Sequence, residues 1–299
     1  MICQGRVVVV TGAGRGLGRA HALEFARQGA AVVVNDIGVG LDGSGGSSGP
    51  ADDVVAEIQG AGGKAVAAPY DIATAEGAEA LVRAALDAFG RLDTLVCNAG
   101  FLRDRMLVNL SEEEWDAVTR VHLKGHFLPL KHAGLHWRAE AKAGRPGTGR
   151  VVMTSSGAGL LGSVGQGNYA AAKAGIVGLA LVAAAELGRY GVRVNAIAPA
   201  ARTRMTEEVF AATMTAPGDG GFDAMAPENV SPLVAWLGSA DCDVTGRVFE
   251  VEGGRICVME GFRHGPAADR GARWEPAELG PVVRGLLADA VSPEPVYGA

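Results

Sequence analysis

The sequence predicts an α/β protein: a single doubly wound parallel sheet with helices on both faces. Three observations carry this expectation. Short valine-rich runs alternate with longer segments of helical periodicity from Arg6 to Val251. The runs are apolar almost throughout, as strands covered on both faces are. Glycines and polar residues gather where the runs end, which is where ligands bind in such sheets.

Composition narrows the function. The chain has 299 residues, 48% hydrophobic and 20% charged, enough apolar material for one large core. A net charge of −6 without a basic cluster excludes a nucleic-acid surface and favours a small-molecule partner. The N-terminal MICQGRVVVVTGAG enters a strand pattern without the regions of a secretory signal, so a cytoplasmic protein is expected. The apolar run Ala174 to Leu187 reads as too short to span a bilayer, and no membrane anchor is expected. The cysteines at 3, 97, 242 and 257 share no C-x-x-C spacing, which suggests packed, reduced thiols.

The first strand, Arg6 to Val10, runs into Thr11-Gly12-Ala13-Gly14-Arg15-Gly16-Leu17-Gly18, and Arg19 to Gln28 is helical. Strand, glycine turn and helix form a phosphate cradle: glycines admit a pyrophosphate close to the backbone, and the helix N-terminus offers free N–H groups. Gly12, Arg15, Gly16, Leu17 and Gly18 are therefore candidate cofactor contacts. The next strand, Ala31 to Asn35, ends at Asp36, whose carboxylate suits the adenosine ribose hydroxyls and repels a 2′-phosphate. Arg15 is the contrary sign, since its charge could pair with that phosphate. Asp36 is weighted more, so NAD is expected ahead of NADP.

Gly38 to Pro50 reads as a flexible Gly/Ser loop, and Asp52 to Gly60 as a helix. The strand Ala65 to Pro69 leads to Asp71 and Ile72, placed to frame an adenine ring. A helix from Glu76 to Phe89 precedes the strand Leu92 to Val96, which ends in Cys97-Asn98-Ala99-Gly100. Ser111 and Glu114 form a capping-box pattern for a helix through Trp115, Val118 and His122. His122 with His126, and His132 with His136, have i, i+4 spacing, but no third ligand accompanies them and no metal site is assigned.

Val151 to Met153 is another strand end, followed by Ser155 and Ser156 and a glycine-rich loop. Tyr169 and Lys173 then share one helical face, which completes a proton-transfer constellation. The strand Val192 to Ala198 leads to Pro199 and Thr203, expected beside the nicotinamide. Met205 to Pro227 reads as a substrate lid, Glu228 to Leu237 as a helix, and Val248 to Val251 as the final strand before Gly253-Gly254. Residues 1–254 are assigned to the dinucleotide-binding and catalytic domain. Residues 255–299 are assigned to an extension packed on that domain or on a neighbouring subunit.

The set Thr11-Gly12-x-x-x-Gly16-x-Gly18, Asn98-Ala99-Gly100, Ser156 and Tyr169-x-x-x-Lys173 resembles the classical short-chain dehydrogenases/reductases over residues 5 to 254. Val34-Asn35-Asp36, Leu102-Arg103-Asp104-Arg105, Arg120 to Gly125 and Gly165-Gln166-Gly167-Asn168-Tyr169 look closer still to the dehydrogenase unit of peroxisomal multifunctional enzyme type 2 (17β-hydroxysteroid dehydrogenase type 4-like) and its actinobacterial relatives. Ala198-Pro199 and Arg204-Met205-Thr206 extend that likeness.

The resemblance implies a Rossmann-type fold and NAD-dependent interconversion of an alcohol and a ketone, on a (3R)-3-hydroxyacyl-CoA or 17β-hydroxysteroid. It implies Tyr169 as acid/base, Lys173 as its electrostatic partner and ribose contact, and Ser156 as the group orienting the reacting oxygen, with Gln166 near the substrate. His122 stands where classical members have asparagine, so an altered proton relay is expected. The family also pairs the apolar helix containing Ala174 to Leu187 across a two-fold axis, which implies a homodimer or homotetramer. NADPH-dependent reduction of a 3-oxoacyl carrier substrate is the alternative. A dinucleotide-binding module without turnover is a third reading, weakened by the intact tyrosine and lysine.

Overall fold

The computed structural model describes residues 1–40, 45–145, 147–203, 217 and 221–298. In chain order the main elements begin with β1 (Val7–Thr11), α1 (Gly16–Arg27), β2 (Ala31–Asn35), α2 (Gly49–Gly60), β3 (Lys64–Ala67), α3 (Ala75–Phe89) and β4 (Thr94–Cys97). α4 (Glu112–Thr119), a π turn (Arg120–Lys124), α5 (Gly125–Lys142), β5 (Arg150–Thr154), α6 (Gly157–Leu161) and α7 (Gly167–Leu187) follow. β6 (Arg193–Ala200), α8 (Ser231–Leu237), β7 (Val248–Glu252), β8 (Arg255–Val258) and α9 (Leu279–Asp289) complete the sequence.

The eight strands form one sheet in the order β3-β2-β1-β4-β5-β6-β7-β8, parallel except for the antiparallel pair β7–β8. The order turns back between β1 and β4, so the ends of those two strands open the crevice where such sheets bind ligands. Side-chain alternation accounts for the two-faced core. Val8, Val10, Val32 and Val34 pack with Phe25, Val54 and Ile58 on one face, while Val7, Val9 and Val33 pack with Leu81, Trp137 and Ile176 on the other. Each fully buried valine contributes about 1.5–3 kcal/mol.

The far end of the sheet is pinned by polar bonds. Arg6 donates to the Asp93 and Thr148 carbonyls at 3.0 Å, and the Asp93 carboxylate accepts from the Val7 N–H at 2.8 Å. Ser111 and Glu114 form the reciprocal capping box that the sequence announces.

Three expectations need correction. The second helix starts at Gly49 because Pro50 occupies the first turn, where its missing N–H costs nothing. The sheet continues past Val251: Gly253-Gly254 is a hairpin turn, and β8 pairs Ile256 with Val251. The apolar run after Ala174 is part of α7, and Gly167–Tyr190 is long and apolar enough to cross a membrane by length and composition, with mean hydropathy 1.7. That is weak evidence for a span, since Ile176, Ala180 and Ala183 of this helix are buried in the sheet core. Most of the expected lid, Met205 to Pro227, lies outside the described residues, as do Arg204 and part of the Gly38 to Pro50 loop.

Candidate active site

The glycine turn closes the end of β1. Gly12 has φ +64, a left-handed value that side chains disfavour, and a Cβ there would lie 2.7 Å from the Ala99 Cα. A Cβ at Gly18 would lie 2.1 Å from the Gly12 carbonyl and 2.6 Å from Asn98 Nδ2. Thr11 and Asn98 hold this approach together: Thr11 Oγ1 accepts from the Asn98 and Ala99 N–H groups at 2.9 and 3.2 Å, and Asn98 Nδ2 donates to the Thr11 carbonyl at 3.1 Å. The Asn98 side chain thus braces the glycine turn. Gly18 likewise packs against it and lies outside the cleft lining.

A cleft of about 290 Å³ lies beyond these strand ends. Gly12, Arg15, Gly16 and Leu17 line one side, and Asn98, Ala99 and Gly100 another. Asp36, Asp71, Ile72 and Thr203 complete the set from the sequence, while Tyr70, Phe101, Arg120 and Val121 were not singled out there. Pro199 sits in β6 paired with Val251, outside this lining.

Asp36 is fixed by two amides. Its Oδ2 accepts from Gly14 at 2.9 Å and its Oδ1 from Gly38 at 2.7 Å. Asp71 pairs with Arg120 at 2.5 Å, which ties β3's end to the π turn. The first turn of α1 has neither a side-chain cap nor an acidic residue of its own, and Gly16 and Leu17 at its start line the cleft. An uncapped helix start, a glycine cradle and an acid at the end of β2 fit a dinucleotide.

The proton-transfer groups come together on the other side of β4. Tyr169, in the first turn of α7, has its phenol close enough to Ser156 for the serine side chain to lower the phenol's pKa. Ser156 caps α6, its Oγ accepting from the Ala158 N–H at 3.2 Å. Lys173 is 3% exposed, its Nζ donating to the Thr154 carbonyl at 2.7 Å and lying 5.5 Å from the Tyr169 ring centroid. Ser155 points the other way and donates to the Lys173 carbonyl at 2.9 Å.

Burial dominates the titration of the pair. Desolvation pushes the Tyr169 phenol up to about 12, with the nearby Ser156 side chain opposing it, and pushes the Lys173 ammonium down to about 7.

His122 is buried in the π turn, edge-on to the Tyr169 ring at 5.2 Å between centroids. Its Nε2 lies 3.0 Å from the Phe101 amide nitrogen and 2.7 Å from the Phe101 carbonyl, so its bond goes to the β4–α4 segment. Burial, with the Lys173 charge second, pushes its pKa down to about 3, and the ring is neutral. Gly100 faces this ring, because a Cβ there would lie 2.0 Å from His122 Cε1. Gln166 is 8% exposed and donates to Asp104 Oδ2 at 2.7 Å.

The sequence did not single out Asp104 and Asn168 as site residues. Burial raises the Asp104 pKa, and Asn168 Nδ2 donates to the Arg103 and Glu114 carbonyls at 3.1 and 3.3 Å. Their signal in the sequence is membership of the Leu102-to-Arg105 and Gly165-to-Tyr169 runs, which carry the likeness without assigning either residue a role. Among the described residues, no group of three His, Cys, Asp or Glu side chains is placed to hold a metal.

Residues 6–213 match the short chain dehydrogenase family. The chain is 47% identical over 300 aligned positions to "Hydroxyacyl-CoA dehydrogenase ChsB1" of Mycobacterium tuberculosis, covering 99% of this chain and 92% of that protein. It is 46% identical over 280 residues to mouse "Peroxisomal multifunctional enzyme type 2", covering 94% of this chain but only 34% of the mouse protein's length. A crystal structure of a short chain dehydrogenase from Mycobacterium avium superposes with a TM-score of 0.90 at 61% identity, over 100% of both chains. The family match spans the glycine cradle, Ser156 and the tyrosine–lysine pair. The chain belongs to the short-chain dehydrogenase family, oxidoreductases that use a nicotinamide dinucleotide.

Proposed function

We propose that the protein oxidises the secondary alcohol of a (3R)-3-hydroxyacyl-CoA, or a 17β-hydroxysteroid of comparable shape, with NAD. The observation that carries the chemistry is the convergence of Ser156, Tyr169 and buried Lys173 at the end of β5, next in the sheet to β4, whose end lines the glycine cleft. The substrate class rests on the relatives named hydroxyacyl-CoA dehydrogenase and multifunctional enzyme type 2.

Gly12, Gly16 and the start of α1 hold the pyrophosphate, Asp36 the adenosine ribose, and Lys173 the nicotinamide ribose. Asp71 and Ile72 border the adenine, and Pro199 and Thr203 the nicotinamide. The nicotinamide supplies the hydride acceptor when bound. Ser156 donates a hydrogen bond to the reacting oxygen and Tyr169 takes its proton. An ammonium at Lys173 lowers the cost of the phenolate, and a phenolate in turn favours the ammonium, so the two titrate as a coupled pair. His122, being neutral and bonded at Phe101, orients the segment beside Tyr169 and serves the proton path through its other nitrogen.

Asp36 favours NAD, since a 2′-phosphate would meet its fixed carboxylate. The exposed Arg15 at the cleft supports the second reading, an NADPH-dependent 3-oxoacyl reductase. Initial rates with NAD and NADP over a panel of hydroxyacyl-CoA esters and hydroxysteroids separate the two: a preference for NADPH overturns the first.

The protein acts as a cytoplasmic homodimer or homotetramer. Leu181 and Val182 of α7 and Phe127 and Leu135 of α5 are each more than 40% exposed, which supports pairing through these helices.

A further inference from the structure

The last described residues return to the catalytic side of the sheet. Tyr297 forms a parallel bridge with Ser163, donating its N–H to the Gly162 carbonyl at 3.2 Å and accepting from the Val164 N–H at 2.9 Å. Its phenol lies near Glu250 on β7, whose charge, after burial, helps to raise the phenol's pKa. Its ring lies over α6, where a Cβ at Gly157 would be 2.8 Å from Tyr297 Cε2. The other edge of the same loop is also paired, because Arg105 bridges Gln166 and donates its N–H to the Gly165 carbonyl at 2.7 Å. Residues 162–166 therefore lie between two extended segments, one of them from the chain's end.

We propose that residues 291–298 form a strap that fixes the substrate side of the crevice, with Tyr297 as its anchor and a specificity-determining, positioning residue. The proposal rests on the functional reading above. Loop 162–166 leads directly into Gln166 and Tyr169, so its placement sets the wall against which a substrate lies. The reacting groups have separate supports: Ser156 is bonded at Ala158 and Lys173 at Thr154. Loss of the strap therefore weakens substrate binding more than turnover. Gly157 is part of the device, since the ring needs the space a side chain would take.

The test combines amide exchange with kinetics on the full-length protein. In Tyr297→Ala the Val164 amide exchanges at least tenfold faster, KM for a (3R)-3-hydroxyacyl-CoA rises at least fivefold, kcat stays within twofold, and the NAD dissociation constant is unchanged. Tyr297→Phe keeps the ring and recovers most of the KM. Gly157→Ala crowds the same ring and raises KM in the same direction. Unchanged Val164 exchange, an unchanged KM, or a parallel loss of NAD affinity in Tyr297→Ala overturns the strap. If the wild-type protein oxidises none of the alcohols, the functional reading fails by itself, and Val164 exchange still decides whether Tyr297 anchors the loop.

Discussion

The Lys173 Nζ lies 5.5 Å from the centroid of the Tyr169 ring, on the same face of α7, while donating to the Thr154 carbonyl. One helix thus presents a phenol to the crevice and hides its cationic partner against the end of β5. Burial lowers the lysine from 10.5 to about 7, so between these values the unfolded chain binds a proton that the folded chain does not.

Stability therefore rises with pH across that window. The penalty of burying the ammonium is fully present below pH 7 and is relieved as pH climbs toward 10.5. Between pH 7 and 9.5 wild type gains up to about 1.4 kcal/mol per pH unit relative to Lys173→Met. Urea unfolding of both proteins across this range checks it; parallel curves would show that Lys173 keeps an ordinary pKa.

Gly100 and His122 share one space. Gly100→Ala places a methyl 2.0 Å from His122 Cε1 and costs about 1–3 kcal/mol through overpacking. His122→Ala in the same chain removes the clash, so the two substitutions couple by at least about 1 kcal/mol in a denaturation cycle. Additive effects would mean that the ring moves aside freely.

Asp36→Ala removes the acceptor of the Gly14 and Gly38 N–H groups together with the charge that faces a 2′-phosphate. The ratio of kcat/KM for NADP to that for NAD rises at least tenfold. An unchanged ratio would assign cofactor choice to other residues, with Arg15 first among them.

Val182→Glu sets a charge on the exposed side of α7, where the native residue is 54% exposed. Sedimentation at micromolar concentration is expected to show wild-type dimers or tetramers and a smaller species for the variant. A monomeric wild type would leave that apolar side unexplained by self-association.

Much of the sheet is legible in sequence because strands buried on both faces read as continuous valine runs: Ala31 to Asn35 is found with its exact bounds. The cradle is legible for the same reason, since Gly12 and Gly18 answer to local backbone demands. The π turn at Arg120–Lys124 is not, because hydropathy does not distinguish an i→i+5 turn from an α-helical one. Nor is the burial of Lys173, whose partner is a backbone carbonyl and leaves no trace in residue type. The return of Tyr297 to Gly162 and Val164 is a contact between distant parts of the chain, and nothing near residue 297 announces it. The Gly253-Gly254 hairpin is readable: Val251 and Ile256 alternate with Glu252 and Arg255 around the glycine pair, a pattern of two strands joined by a turn.

Everything proposed for the chemistry converges on the Tyr169 phenol. Initial rates of NADH formation from NAD and a (3R)-3-hydroxyacyl-CoA, compared for wild type and Tyr169→Phe, put it to the test, with NAD binding measured on both proteins. Wild type should turn over. Tyr169→Phe should bind NAD as wild type does and lose at least a hundredfold in kcat, the lower range for a positioned acid/base. A variant that retains wild-type kcat would contradict the role of Tyr169 as the proton acceptor.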